Sequence, residues 1–167
     1  MIERDANRPQ FTEAEARKIA ESKFGVRGSV KVLPSERDLN FRIQTELGDE
    51  YVLKIAATSE KLEILDLQNR AMQHLVDKAV SFKTPIFVLS KDGEEILTIK
   101  DSKKNPHFVR LLRYIPGRVF AEVKPHSQEL LFEFGKFVGS MTHALEDFTH
   151  PAADRMFYWD LKQASSV

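Results

Sequence analysis

The 167-residue sequence contains no cysteine, which excludes disulfide bonds and thiolate chemistry. Neither sign of charge is in excess, since 25 Lys and Arg balance 25 Asp and Glu, and bulk electrostatics therefore favours neither nucleic acid nor an anionic membrane as partner. No apolar run approaches the roughly 20 residues that span a bilayer, and MIERDANRPQ lacks the apolar centre of a signal peptide. We therefore expect a cytoplasmic protein that binds neither nucleic acid nor membrane.

The sequence does contain the pattern of an α+β domain. Thr12 and Glu15 form a capping box at the start of a first predicted helix, which ends at Gly25. Strand-like runs then alternate with two longer amphipathic segments. The predicted order is helix 11–25, strands 29–33, 39–47 and 50–56, helix 59–79, strands 84–90, 95–100 and 107–115, and helix 126–148. An antiparallel sheet flanked by a helix and followed by a helical layer is an α+β arrangement.

A lysine in the third predicted strand raises the functional question. In DEYVLKIAATSE (49–60), Tyr51, Leu53 and Ile55 alternate with other residues in the period of a half-buried strand, and Lys54 stands among them. An isolated strand lysine is usually an exposed edge residue or one that extends its apolar stem along the surface. A plain α+β domain with a surface lysine is therefore one interpretation of the sequence.

Three neighbouring features favour a different interpretation. A polar loop, LPSERDLNF (33–41), connects the first two strands, and the helix after the lysine strand carries Gln68 within its apolar stripe. Pro116-Gly117 follows the last strand as a hinge. A strand lysine, a loop above it and a polar helix group beneath it are the parts of a kinase-type nucleotide site, where the ammonium binds phosphate oxygens.

The segments LPSERDLNFRI, YVLKIA, LDLQNRAMQHL, RLLRYIPG and FGKFVGSMTHAL carry a family resemblance from about Phe11 to Leu161. The chain resembles the N-terminal part of the aminoglycoside phosphotransferase family, which has the protein-kinase-like fold. It is most similar to the hydroxylysine-kinase-like members and to domains fused to class III aminotransferases. The resemblance implies a kinase-like N-terminal lobe over 1–113, with an antiparallel sheet of about five strands, and a hinge with an incomplete helical lobe over 114–167.

The resemblance also implies a nucleotide site. Lys54 would contact the α- and β-phosphates of ATP. Gln68 would be its partner in a position where family members more often carry glutamate, and Glu60 or Glu63 are alternatives. Leu112 would lie behind the adenine, which would bind the backbone of Arg113 and Ile115. The loop that covers the nucleotide would contain Ser35, Glu36, Arg37, Asp38 and Asn40.

The sequence after Gly117 lacks the H-x-D-x-x-x-x-N pattern that supplies the catalytic aspartate and asparagine in this fold. The nearest segments are THALED (142–147) and WDL (159–161); we interpret His143 as a helix-packing or exposed residue and Asp160 as a helix cap or cleft residue. We therefore expect a fragment without catalytic residues or metal ligands, whose longer form would use ATP and Mg²⁺. The apolar face of helix 126–148 would lie exposed or mediate self-association.

Two functions follow from the resemblance. The first is the ATP-binding lobe of a small-molecule kinase that phosphorylates a hydroxyl of an amine-bearing substrate. The second is a non-catalytic kinase-like module that binds or regulates, one form of which is the N-terminal domain of an aminotransferase fusion, and Gln68 in the glutamate position is its main support.

Overall fold

The computed structural model describes residues 8–155, which form a six-stranded antiparallel sheet with helices on both of its faces. The predicted α+β class is thereby confirmed. The helices are α1 (Glu13–Ile19, continued by a π-turn over Ala20–Phe24), α2 (Leu62–Asp77) and α3 (Gln128–Ala144), with a 3₁₀ turn at Phe120–Glu122. The strands are β1 (Ser29–Leu33), β2 (Leu39–Gln44), β3 (Glu50–Ile55), β4 (Phe87–Val88), β5 (Leu97–Lys100) and β6 (Pro106–Arg113).

Helix α1 begins and ends where its sequence signals predict. The Thr12 hydroxyl accepts a hydrogen bond from the Glu15 amide at 3.2 Å, and the Glu15 carboxylate accepts one from the Thr12 amide at 2.8 Å. These two bonds complete the predicted capping box. Gly25, with φ of 73°, ends the segment in the left-handed conformation that glycine adopts without strain.

The sheet has β6 at its centre. Its strand order is β1-β2-β3-β6-β4, and β5 also pairs with β6. The predicted hairpin between β2 and β3 is confirmed, with Phe41 opposite Leu53. The strand predicted over 84–90 is wrong in length, because only Phe87 and Val88 pair with β6. Pro85 lacks an amide donor for the ladder, which is consistent with so short an edge strand.

Alternation along the strands gives the sheet two different faces. One face packs against α1 and forms the apolar core, with Leu53, Ile55, Val109 and Leu111 fully buried. The other face is covered in part by α2 and carries polar side chains from three neighbouring strands. The core is therefore separate from the face where Lys54 lies.

Helix α2 turns its apolar stripe toward the sheet, but that stripe includes a buried polar residue. Leu65 and Leu75 are buried as expected, but Leu62 and Val76 are 48% and 38% exposed. Asn69 is completely buried in their place. Asn69 lies four residues after Leu65 on the same stripe of the helix, so a polar side chain faces the sheet and the sheet must supply its hydrogen-bond partners.

Helix α3 leaves much of its apolar surface open, since Leu131, Phe132 and Phe134 are 49%, 67% and 45% exposed. Ring contacts join Phe134 to Phe120 and Phe137 to Phe82. Self-association through this surface remains a prediction. Within residues 8–155, no helix combines the length and the apolar character that crossing a bilayer requires.

A tight contact between β1 and β2 gives a first prediction. A Cβ atom at Gly28 would lie 2.1 Å from the Gln44 carbonyl oxygen, a backbone atom that cannot move aside cheaply. We expect Gly28→Ala to lower the free energy of unfolding by about 1–3 kcal/mol, as overpacked sites do. Urea denaturation followed by circular dichroism measures the change.

Gly135→Ala is the matched control, because a Cβ atom built there meets no atom of the described chain within 4 Å. Removing a glycine from the middle of α3 should stabilise the protein by about 0.5–1 kcal/mol. Equal effects of the two substitutions would contradict the steric explanation for Gly28.

Candidate functional site

A polar row crosses the face of the sheet opposite the core. Asn40 on β2 lies opposite Lys54 on β3, and Lys54 in turn lies opposite Arg110 on β6. Directly opposed residues on antiparallel strands have Cβ atoms about 4.5–5.5 Å apart, so the two cations are side by side. Like charges at such a distance repel each other, so the arrangement requires a compensating interaction.

Lys54 is held by a neutral group. Its Nζ donates a hydrogen bond to Asn40 Oδ1 at 3.1 Å. Within the described chain, no carboxylate oxygen lies within 4 Å of Nζ, the limit for an ion pair. Burial lowers the pKa of Lys54 and the Arg110 charge lowers it further, while the Asp38 carboxylate partly offsets both. The ammonium therefore keeps donors for an additional acceptor.

Arg110 is the functional candidate that the sequence interpretation missed. It is only 2% exposed, and its guanidinium binds three oxygen atoms of α2. Nη1 donates to Asn69 Oδ1 at 2.8 Å and to the Leu65 carbonyl at 3.2 Å, and Nη2 donates to Gln68 Oε1 at 2.6 Å. Burial lowers the pKa of Arg110, with Asp38 and Glu60 acting in the opposite direction, but a guanidinium remains charged in proteins.

A signal for Arg110 was present in the sequence. It stands between Val109 and Leu111 in an apolar strand, as Lys54 stands between Leu53 and Ile55. The same pattern, a cationic residue within an apolar strand, therefore marks both the lysine and the arginine. Only the register between β3 and β6, however, shows that the two cations lie opposite each other.

The expected pairing of Gln68 with Lys54 is wrong. Gln68 is exposed at the edge of α2, and its amide oxygen accepts from Arg110. The alternatives fail as well, since Glu60 pairs with Arg37 at 3.7 Å and Glu63 with Lys61 at 3.9 Å. The physical reason is that Arg110 extends from β6 to α2 and its guanidinium orients the amide oxygens of Gln68 and Asn69 toward itself.

The polar contacts of α2 continue away from Lys54. Asn69 Nδ2 donates to Glu95 at 3.1 Å, and Arg70 forms an ion pair with the same carboxylate. The three consecutive residues Gln68, Asn69 and Arg70 thus bind partners on or near the sheet. The middle of α2 is therefore fixed by Arg110 on β6 and by Glu95 just before β5.

The loop before β2 is anchored close to the row. Ser35 Oγ donates to the Asp38 carbonyl at 2.5 Å, and Asp38 Oδ1 accepts from the Ala57 amide at 3.2 Å. Arg37 faces Glu60, and Glu36 also takes part in a contact within the structure. The loop therefore brings Asp38 and Asn40 to Lys54, whereas Ser35 stabilises the loop itself.

The predicted hinge residues lie at the end of β6 and just after it. Leu112 lies opposite Val52 on the same sheet face as Lys54. The Arg113 amide donates to the Ile86 carbonyl at 2.8 Å, which leaves the Arg113 carbonyl as the group for a ligand. Among residues 8–155, no hydrogen bond uses the Ile115 amide. Arg113 and Ile115 also line a cavity of about 410 Å³ beside the end of α2.

Two adjacent cations, with no carboxylate of residues 8–155 within 4 Å, form an arrangement suited to anions. Phosphate oxygens would supply negative charge in direct contact, which the more distant carboxylates of Asp38 and Glu60 do not, and an ammonium acts on phosphate as a compact point charge. Metal binding has no comparable support, since residues 8–155 contain no group of three His, Asp or Glu side chains close enough to hold an ion. His143 is exposed beside Glu146, and Asp160 lies outside the described residues.

Comparison with protein families gives a match over residues 29–165 to the family described as the phosphotransferase enzyme family. Hydroxylysine kinase of Mus musculus is 36% identical over 172 residues, and that of Bos taurus is 32% identical over 173 residues. Each alignment covers 93% of this chain and 45% of the relative. The chain thus spans about half the length of the curated relatives it matches.

Solved structures show the same fold. An amicoumacin kinase in complex with AMP-PNP, Ca²⁺ and Ami matches with a TM-score of 0.71 at 21% identity, over 92% of this chain and 46% of that one. A microcompartment-associated aminopropanol kinase matches with a TM-score of 0.67 at 16% identity, over 89% and 45% of the two chains. The expected kinase-like fold is confirmed, whereas the likeness to domains of aminotransferase fusions remains a prediction.

The lowered pKa of Lys54 predicts an unusual pH dependence of stability. Between that lowered pKa and the ordinary value of 10.5, the unfolded chain binds more protons at this residue than the folded chain. The Lys54 contribution to the free energy of unfolding therefore rises with pH in this window, by at most about 1.4 kcal/mol per pH unit.

Urea denaturation from pH 7 to pH 10 tests this prediction when wild type is compared with Lys54→Met. The difference between them should change with pH in favour of the wild type. The control Lys18→Met removes an exposed lysine of α1, to which the effect of burial does not apply. A difference between wild type and Lys54→Met that stays constant with pH would contradict the effect of burial on Lys54.

Proposed function

The chain belongs to the phosphotransferase enzyme family, and from this membership we propose that it forms the ATP-binding lobe of a small-molecule kinase. The whole protein would transfer a phosphoryl group from ATP to a hydroxyl of an amine-bearing compound. The kinase-like lobe would comprise residues 1–113, and residues 114–167 would form the hinge and the first part of the helical lobe.

The paired cations carry this proposal. Lys54 and Arg110 are opposite each other on neighbouring strands, and neither has a carboxylate within 4 Å in the described chain. Lys54 is aimed by a neutral oxygen, Asn40 Oδ1, and keeps hydrogen-bond donors for a ligand. A polyphosphate satisfies both the charge and the free donors, and in a kinase the corresponding lysine binds the α- and β-phosphates.

The adenine would bind at the hinge, one strand row away from the phosphates. Leu112 and Val52 form the next row beyond Lys54 on the same sheet face and offer an apolar surface to a ring. The Arg113 carbonyl would accept from the adenine amino group, and the unpaired Ile115 amide would donate to a ring nitrogen. The Arg113 carbonyl and the Ile115 amide are backbone groups, so these two contacts would tolerate changes of the side chains.

The loop before β2 would cover the phosphates without a glycine-rich sequence. Asp38 fixes its end to the Ala57 amide, and this bond holds Asn40 in place for Lys54. Ser35, Glu36 and Arg37 would shape the rest of the cover. Arg37 faces Glu60 at 3.7 Å and would have to leave that weak contact to reach a phosphate.

ATP, when bound, supplies the phosphoryl group to be transferred. Mg²⁺ accompanies ATP in phosphoryl transfer, but the described residues offer no cluster for it, and we assign it no ligand here. This chain's own residues would bind and orient the nucleotide. The catalytic aspartate would belong to a part of the whole protein that the described residues do not include.

The names of the relatives support an amino alcohol as the acceptor. Hydroxylysine and aminopropanol each combine an amine with a hydroxyl, and the two kinases named for them are similar to this chain. A hydroxyl would receive the phosphoryl group, and the amine would serve for recognition. The cytoplasmic location expected from the sequence remains a prediction.

A nucleotide-binding module without catalysis is the second candidate. Among residues 8–155, Lys54 has no carboxylate partner within 4 Å, which favours this candidate, because active kinases normally aim this lysine with a glutamate. Phosphoryl transfer by the whole protein to an amino alcohol separates the two candidates. Measurable turnover supports the kinase, whereas nucleotide binding without turnover supports the module.

Nucleotide binding gives the direct prediction of the proposed function. Because Lys54 is the partly exposed cation of the pair, Lys54→Ala should weaken ATP binding at least about tenfold, equivalent to roughly 1.4 kcal/mol. Isothermal titration calorimetry measures the dissociation constant.

Lys18→Ala is the control, since Lys18 is an exposed lysine of α1, the helix on the opposite face of the sheet. It should leave the dissociation constant unchanged. Equal affinity of wild type and Lys54→Ala for ATP would overturn the assignment of the site.

A further inference from the structure

Arg110 touches α2 with every hydrogen bond that the structure gives its guanidinium, although it lies beside the proposed phosphate-binding lysine. Its three acceptors are the oxygen atoms of Leu65, Gln68 and Asn69. The residue is 2% exposed, so neither water nor a ligand has free access to most of its surface. Its location next to Lys54 is therefore not explained by direct contact with a nucleotide.

The hydrogen bonds of Arg110 decide what α2 can offer to Lys54. An ammonium needs an acceptor, and Arg110 orients the amide oxygens of Gln68 and Asn69 toward its guanidinium, so that neither of them accepts a hydrogen bond from Lys54 in this structure. The amide nitrogens of these side chains are donors and cannot bind the lysine. Lys54 takes its acceptor from the opposite side, from Asn40 on β2.

We propose that Arg110 is a positioning residue of the nucleotide site, which fixes α2 to β6 and leaves Lys54 free to pair first with the bound polyphosphate. The inference rests on the proposed function. It assigns two roles to Arg110. The planar guanidinium holds α2 in place, and its positive charge lies beside Lys54.

This arrangement separates two tasks that one ion pair performs in protein kinases. There the lysine pairs with a glutamate of the helix, so the position of the helix and the aim of the lysine depend on each other. Here the helix is docked by Arg110, and by Arg70 through Glu95, without any contribution from Lys54. Helix α2 therefore stays docked whether or not the lysine is engaged by phosphate.

The titration of Lys54 reports on the charge of Arg110, which a purely structural side chain would not affect. In protein with ¹⁵N-labelled lysine, the Lys54 signal is assigned by its loss in Lys54→Arg and followed as a function of pH. Arg110→Met removes the neighbouring cation, so Lys54 should titrate at a higher pH than in wild type. ATP binding, measured by calorimetry, should weaken about tenfold, because Gln68 and Asn69 then offer their oxygens to Lys54.

Two further variants separate the roles. Arg110→Lys keeps the charge but loses the fork, so Lys54 should titrate as in wild type while ATP binding weakens severalfold. Gly28→Ala is the structural control, since its steric clash with Gln44 lowers the stability at the start of β1 but leaves Arg110 and its contacts with α2 intact. It should lower the stability yet change neither the Lys54 titration nor the affinity for ATP.

The outcomes distinguish this inference from the proposed function. Wild-type protein that does not bind ATP overturns the proposed function and the positioning role with it. If wild type binds ATP but Arg110→Met changes neither the Lys54 titration nor the affinity, the positioning role alone is overturned. Should Arg110→Met fail to fold, Arg110→Lys decides, and wild-type affinity for ATP in that variant overturns the inference.

Discussion

The repulsion between two cations that share one face of a sheet is the constraint on which the candidate site depends. Lys54 and Arg110 are opposite each other on β3 and β6, and the described chain places no carboxylate within 4 Å of either one. Burial makes the ammonium of Lys54 costlier still and lowers its pKa. A fold that tolerates this cost gains a site where an anion is the missing partner.

The remaining polar contacts are arranged around that pair. The carboxylates of Asp38 and Glu60 offset the charge of Arg110 in part, and oxygen atoms of α2 accept its hydrogen bonds. Asn69 supplies one of these oxygens, which is why it is fully buried on a helix face where the hydrophobic pattern predicts an apolar residue. Asn40 on β2 holds Lys54 with a neutral oxygen, and Asp38 fixes the end of the loop that precedes β2. The strand residues Asn40, Lys54 and Arg110 on this face are held by hydrogen bonds. The opposite face packs against α1 and forms the apolar core.

Sequence patterns predict most of the fold because the signals are local. The capping box at Thr12, the hairpin between β2 and β3 and the long helix α3 follow from residues near one another in the chain. The partner of Lys54 could not be predicted in this way, because it depends on the register of β6 against β3 and on the contacts of α2 with Arg110. Periodicity places Gln68 within the apolar stripe of α2. It does not show that the buried Arg110 donates hydrogen bonds to the amide oxygens of both Gln68 and Asn69.

A crystal structure of the chain with a non-hydrolysable ATP analogue tests the central claim most directly. The account predicts that phosphate oxygens lie within hydrogen-bond distance of Lys54 Nζ, about 2.7–2.9 Å, with Arg110 still bound to Gln68 and Asn69. It also predicts that the adenine contacts the backbone of Arg113 and Ile115. A nucleotide bound elsewhere, or a Lys54 that turns to a carboxylate of α2 with the site empty, would contradict it.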